Sequence, residues 1–169
     1  MDWYLLETTA ISALLDQRHE RHTLVNGEIA KLDFGANKYI SSIALAEMMF
    51  GVRLHQAVKG VALSNASKII ADAQKYPILN ITRHTSAEYA ELKTILATKY
   101  LKDPISKERR RWIEDWVDAA TGKKLQMDEN DLWMCSQARE KNLVLVTTDK
   151  QMRDIVVAAD AKPKFLLLT

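Results

Sequence analysis

The run "LVLVTT" at residues 143–148 is the feature that most narrows the folds open to this chain. It begins with four apolar residues in succession and offers no polar face, so as a strand it must be covered on both sides. Central strands of parallel sheets meet that demand. Similar short runs occur at "WYLLE" (3–7), "KYISSIAL" (38–45), "ILNI" (78–81) and "KFLLL" (164–168). Between them lie segments whose apolar residues recur at helical spacing.

Those helical segments are "TTAISALL", with Thr8 or Thr9 as cap, a charged stretch at 17–32, "AEMMFGVRLHQAV", and "SNASKIIADAQKY" ended by Pro77. Further on, "SAEYAELKTILATKYL" carries Tyr89, Leu92, Leu96 and Tyr100 on one stripe. "SKERRRWIEDWVDAA" then places Trp112 and Trp116 one turn apart and ends at Gly122. "LWMCSQARE", with Asp131 as its candidate cap and Asn142 as its stop, precedes "LVLVTT", and "KQMRDIVVAA" follows it. Strands alternating with helices imply an α/β fold, a parallel sheet with helices on both faces. At 169 residues the chain is expected to be a single domain, with a basic helical insertion at about 99–124.

Composition removes several function classes. No apolar run approaches the roughly 20 residues of a membrane helix, and "MDWYLLE" lacks the basic start of a secretory signal, so a cytoplasmic location without a membrane partner is expected. The single cysteine, Cys135, excludes an internal disulfide. His19, His22, His55 and His84 are scattered, and the HxxH at 19–22 sits among Arg18, Glu20 and Arg21, which reads as a solvated face and not as a zinc site. Net charge is only +2, yet residues 98–124 hold eight Lys or Arg against five acids. That asymmetry points to a polyanionic partner.

In parallel α/β sheets ligands bind beyond the carboxyl ends of the strands, and four acids are drawn to that edge. Glu7 follows the first strand, Asp149 follows "LVLVTT", Glu47 lies about one turn into the helix after the second strand, and Asp131 opens the helix before "LVLVTT". Asp131, Asp149 and Glu7 also read as helix caps. Glu47 is harder to explain that way: Ile43, Ala44, Phe50 and Gly51 surround it at helical spacing, and a carboxylate on an apolar face is costly unless paired or bound to metal. Like charges about 4 Å apart repel by about 4 kcal/mol at an intermediate dielectric. A divalent cation resolves the conflict, and all-oxygen ligands select Mg²⁺ or Mn²⁺.

The segments "YLLETTAISALL", "ISSIALAEMMFGVRL", "SAEYAELKTILA" and "ENDLWMCSQAREKNLVLVTTDKQMRDI", in this order, resemble the PIN-domain ribonucleases, specifically the VapC-type toxins of toxin-antitoxin pairs. The resemblance covers most of the chain apart from 99–124. It implies a three-layer α/β/α sandwich with a parallel sheet of order 3-2-1-4-5. The implied activity is a Mg²⁺- or Mn²⁺-dependent endoribonuclease, and the implied partners are RNA, a small antitoxin protein and a second copy in a homodimer. Carried over position by position, the family's acids fall on Glu7, Glu47, Asp131 and Asp149, as metal-holding and catalytic residues. One departure is "ETT" in place of a D-T-N-like triplet, which puts Glu7 one methylene further out and leaves Thr9 a hydroxyl where an amide is usual.

Four points remain open at this level. Thr9, and Thr147 or Thr148, are candidates to orient a water, although the latter two also simply finish the strand. Arg109, Arg110 and Arg111, followed by Trp112, fit phosphate contacts and base stacking, or else a surface helix with its tryptophans packed inward. The alternative function is a PIN fold that has lost catalysis and binds RNA or protein, motivated by Glu7. Finally, Met48, Met49 and Phe50 are consecutive, so one helix cannot point all three inward and a second surface is expected there.

Overall fold

The computed structural model describes residues 2–32, 35–61, 65–107 and 111–168. Along the chain run β1 (Tyr4–Leu6), α1 (Thr8–Leu15), α2 (His22–Ala30), β2 (Lys38–Ser41), α3 (Ser42–Lys59), α4 (Ala66–Ala73), β3 (Ile78–Leu79) and α5 (Arg83–Tyr100). A single 3-10 turn (Ile113–Asp115) follows, then α6 (Glu129–Lys141), β4 (Val144–Thr147), α7 (Lys150–Ala158) and β5 (Lys164–Leu167). All strand pairs are parallel and the order is β3-β2-β1-β4-β5. Fold class and strand order are those expected.

Alternation along the central strands builds the two cores. Leu5 and Leu145 face one side, against Leu92 and Leu96 of α5, Leu132 and Cys135 of α6, and Val156 of α7. Leu6, Ile40 and Val146 face the other, against Ile11 of α1, Val25 of α2, Met48 of α3 and Ala73 of α4. The result is three layers. Because Leu6 pairs with both Ile40 and Val146, the next residue, Glu7, stands level with Ser41 and Thr147, and its N–H donates to Val146 O at 3.0 Å. Three strands therefore end on one line.

Local chemistry sets the boundaries. Ser41 ends β2 and caps α3 by accepting the Ile43 N–H at 2.9 Å, so the strand stops four residues before the end of the apolar run. Asp16 accepts the Arg18 N–H at 3.0 Å, which turns the chain and delays α2 until His22. Thr82 and Thr85 form a capping box for α5. Asn142 closes α6 in the left-handed conformation at φ 52°. Among the described residues no helix is long and apolar enough to cross a membrane.

The expected helix at 106–120 is not formed. Residues 108–110 lie outside the described residues, and the remainder holds only the 3-10 turn and a bridge between Val117 and Lys124. Asp118 is the reason: its carboxylate accepts the Ala120 N–H and the Thr121 hydroxyl, and Gly122 at φ +70° completes a turn that a helix cannot contain. The segment is fastened to the body by side chains. Trp116 is buried beneath the Lys93 ammonium, Glu129 accepts the Ile113 N–H at 3.1 Å, and Glu129 also pairs with Lys93 and the Tyr89 hydroxyl. Tyr89 in turn stacks on Trp133 with ring centroids 4.0 Å apart.

The two tryptophans thus part company, Trp116 being 2% exposed and Trp112 50%. Trp116→Ala should lower the unfolding free energy by about 3–5 kcal/mol, and Trp112→Ala should change it by less than about 0.5 kcal/mol. Urea denaturation of both variants measures the contrast; equal losses would mean that the segment does not pack as described.

Candidate active site

The acids at the sheet's carboxyl edge are each held by a neighbouring backbone or side chain. Glu7, 5% exposed, caps α1 by accepting the Thr9 N–H through Oε2 at 3.2 Å. Its Oε1 accepts the Thr148 N–H at 3.1 Å and the Thr148 hydroxyl at 3.3 Å, joining the ends of β1 and β4. Burial pushes its carboxyl above the ordinary range, and the hydrogen bonds from Thr148, Thr9 and Ala10 pull back against that.

Asp149 caps α7, accepting the Met152 N–H through Oδ1 at 2.9 Å, while its own N–H donates to the Thr147 hydroxyl at 2.9 Å. Thr147 is sealed from solvent by that arrangement. Of the two threonines considered for orienting water, Thr148 is the one whose hydroxyl reaches an acid.

Asp131 is not the cap of α6. Asp128 is, and Asp131 sits at the third helical position of a reciprocal capping box, donating its N–H to Asp128 Oδ1 at 2.8 Å and accepting the Asp128 N–H through Oδ2 at 3.2 Å. Moving Asp131 one turn inward leaves it half-buried. Its carboxyl is pushed up to about 8, first by burial, then by the negative charges of Asp128, Glu7 and Asp149, against the one Asp128 N–H bond. Through those charges the structure brings Glu7, Asp131 and Asp149 together.

Glu47 joins them through hydrogen bonds. Its Oε2 accepts from the Thr8 hydroxyl and its Oε1 from the Asn130 amide at 2.8 Å. The wholly apolar surround expected from spacing is only half present, since Ala44 is buried and Phe50 is 64% exposed. Glu47 also lines a groove between α1, α3 and α4, with Met48, Val52, Ile69 and Ile70 on its apolar part and Asp16, Arg18 and His19 on its polar part. Thr8 and Asn130 were not legible as site residues. Each has a signal in hindsight, because each is the sequence neighbour of an acid.

Among the described residues no three His, Cys, Asp or Glu side chains are arranged as a ready metal-holding group. The donor set nonetheless fits a hard divalent ion: the atoms are all carboxylate oxygens, and the neighbours that raise the Asp131 carboxyl are all negative. Thr9 lines a polar notch beside Asp149. Arg109 and Arg110 lie outside the described residues, and Arg111 is exposed, its guanidinium 4.7 Å from the Trp112 ring centroid.

A family model described as PIN domain matches residues 4–157. Among solved structures the chain is similar to VapBC2 of Rickettsia felis bound to a fragment of its promoter DNA, at 22% identity, covering 90% of this chain and 92% of that one, with a TM-score of 0.58. It is similar to VapBC-1 of nontypeable Haemophilus influenzae at 16% identity, covering 98% and 97%, with a TM-score of 0.63. It is also similar to VapC20 of Mycobacterium tuberculosis, a toxin that cleaves the sarcin-ricin loop, at 13% identity, covering 89% and 93%, with a TM-score of 0.55. At these identities the likeness is one of fold. No curated protein matches the chain in sequence. The family match takes in every element from the first strand to the last helix, and the chain belongs to the PIN-domain family.

Proposed function

We propose that this protein is a divalent-metal-dependent endoribonuclease and the toxin of a toxin-antitoxin pair. The observation that carries the reading is the acid cluster at the strand ends, where Asp131 is held up to about 8 by burial and by the charges of Asp128, Glu7 and Asp149. A Mg²⁺ or Mn²⁺ ion held by Glu7, Glu47, Asp131 and Asp149 would acidify water and neutralise charge developing on a phosphodiester. The chain's own part is positioning. Thr8 and Asn130 fix both oxygens of Glu47, Thr148 fixes Glu7, and Asp131 keeps a proton until a cation takes its place. Arg109, Arg110 and Arg111 are proposed RNA contacts, and Thr9 a candidate to orient water.

The partners follow from the same surfaces. The groove that Glu47 helps to line suits an apolar segment of a small antitoxin, and a cationic side chain on that segment would satisfy the acids in place of metal. On the outer face of α3, Phe50, Leu54 and Val58 recur every fourth residue and are 64%, 48% and 69% exposed, which supports a homodimer. A second reading, a PIN fold that binds without cutting, is favoured by Glu7, whose two oxygens are both engaged in hydrogen bonds.

The purified chain should cut single-stranded or loop RNA with Mg²⁺ or Mn²⁺ and not in EDTA, and Glu47→Gln should lower kcat/KM by more than about a hundredfold with its melting temperature retained. RNA bound but never cut, with either metal, would select the second reading.

Asp131 sets the pH dependence. Its folded value of about 8 lies above the ordinary 3.8, so the folded chain holds a proton that the unfolded chain releases across that interval. Metal-free stability should therefore fall as pH rises from about 4 to about 8, and Asp131→Asn should flatten that slope. Mn²⁺ binding at neutral pH should release protons from the wild type and fewer from the Asn variant, read by calorimetry in buffers of different ionisation enthalpy. Identical slopes would place the titration elsewhere. Light scattering at micromolar concentration should give the mass of a dimer, and Phe50→Glu that of a monomer; a wild-type monomer would leave the α3 stripe without this role.

A further inference from the structure

Beside the acid cluster, on the side of the turn between α1 and α2, lies a second cavity of about 380 Å³ lined by Thr9, His19, Glu20, Arg21, Thr148, Asp149 and Lys150. Its position is fixed by groups already described. Thr148 is the partner of Glu7, and Asp149 is one of the charges acting on Asp131, so the notch and the acids share a wall.

We infer that this notch is a subsite for a backbone phosphate of the RNA, next to the one that is cut; the inference rests on the nuclease reading. A cluster of carboxylates repels a polyanion, and a strand can lie across it only where cations stand alongside. Arg21 and Lys150 are such cations among the residues lining the notch, and they stand there with the acids Glu20 and Asp149. The Arg21 guanidinium is steered toward the site, donating to Thr148 O at 3.4 Å, while the acid nearest to it, Glu20 at 3.8 Å, has an 84% exposed side chain. Lys150 rests on Asp154 at 2.7 Å in a surface pair one helical turn apart, a contact of the weak kind that a phosphate can replace.

His19 and Thr9 complete the donor set. The Arg21 N–H donates to His19 Nδ1 at 3.1 Å, which leaves Nε2 as the N–H-bearing nitrogen of the neutral ring. The Asp16 turn that delays α2 is what carries His19 and Arg21 to this edge. The segment read from spacing as a solvated face thus brings His19 and Arg21 into a notch shared with Asp149, whereas Arg111 stands over Trp112 on the segment that packs beside Lys93 of α5 and Glu129 of α6.

The test uses the full chain and a fluorescein-labelled single-stranded RNA, with binding followed by anisotropy across a salt series in metal-free buffer. Arg21→Ala and Lys150→Ala should each weaken binding about fivefold and reduce the slope of log affinity against log salt by about 0.7, a change that a merely structural role would not produce. Arg21→Lys should keep the slope, and Lys59→Ala, at the far end of α3, should leave affinity and slope unchanged. In cleavage assays with Mg²⁺ or Mn²⁺ the two alanine variants should raise KM by a similar factor. Wild-type RNA binding with unaltered slopes in both alanine variants, or a slope lost only in Arg111→Ala, would overturn the subsite and leave the nuclease reading standing. A wild type that binds no RNA would overturn both.

Discussion

The carboxylate of Glu7 is the constraint on which the rest of the site depends. Parallel strands of matched register end on one line, and Glu7 is the first residue past the central one. A buried acid there is tolerable only because four donors converge on it, and those donors come from two places in the chain: Thr9 and Ala10 in the first turn of α1, and Thr148 beyond β4. One side chain therefore starts a helix, ties two strand ends together and fixes where Asp149 begins the next helix.

Caps and site are the same atoms at this edge. Glu7 caps α1, Asp149 caps α7, and Asp131 completes the box that Asp128 opens, so the capping reading of Glu7 and Asp149 holds, and it leaves room for the proposed ligand role beside it. The cost falls on Asp131. Within a capping box its carboxyl gains a single backbone donor, which does not offset burial and three like charges. The tension is first one of burial and then of like charge, and a cation entering the edge would relieve it.

Much of this was legible before the structure. Unbroken apolar runs identify the central strands because nothing else buries both faces, and "LVLVTT" with "YLLE" suffices to bring Glu7 and Asp149 to one edge. Helical spacing places Glu47 near them, but it overstates the apolar surround, because spacing cannot tell Phe50 on the outer face from Ala44 on the inner one. Asn130 leaves no periodic mark in the sequence because its role depends on an amide reaching across to another helix, a long-range fact with no local pattern. The segment before α6 departs from its spacing for the opposite reason: Trp112 and Trp116 have helical spacing, and a short-range competitor, the Asp118 side chain, turns the backbone elsewhere.

The stacking of Trp133 on Tyr89 has an optical consequence. Trp133 is two residues beyond Asp131 on the same first turns of α6, and the Tyr89 hydroxyl is bonded to Glu129 at the start of that helix. Any rearrangement of those turns alters the overlap of the two rings and the polarity around the indole. The chain thus carries an intrinsic fluorophore wired to its acid edge, and emission changes there register events at the carboxylates without a label.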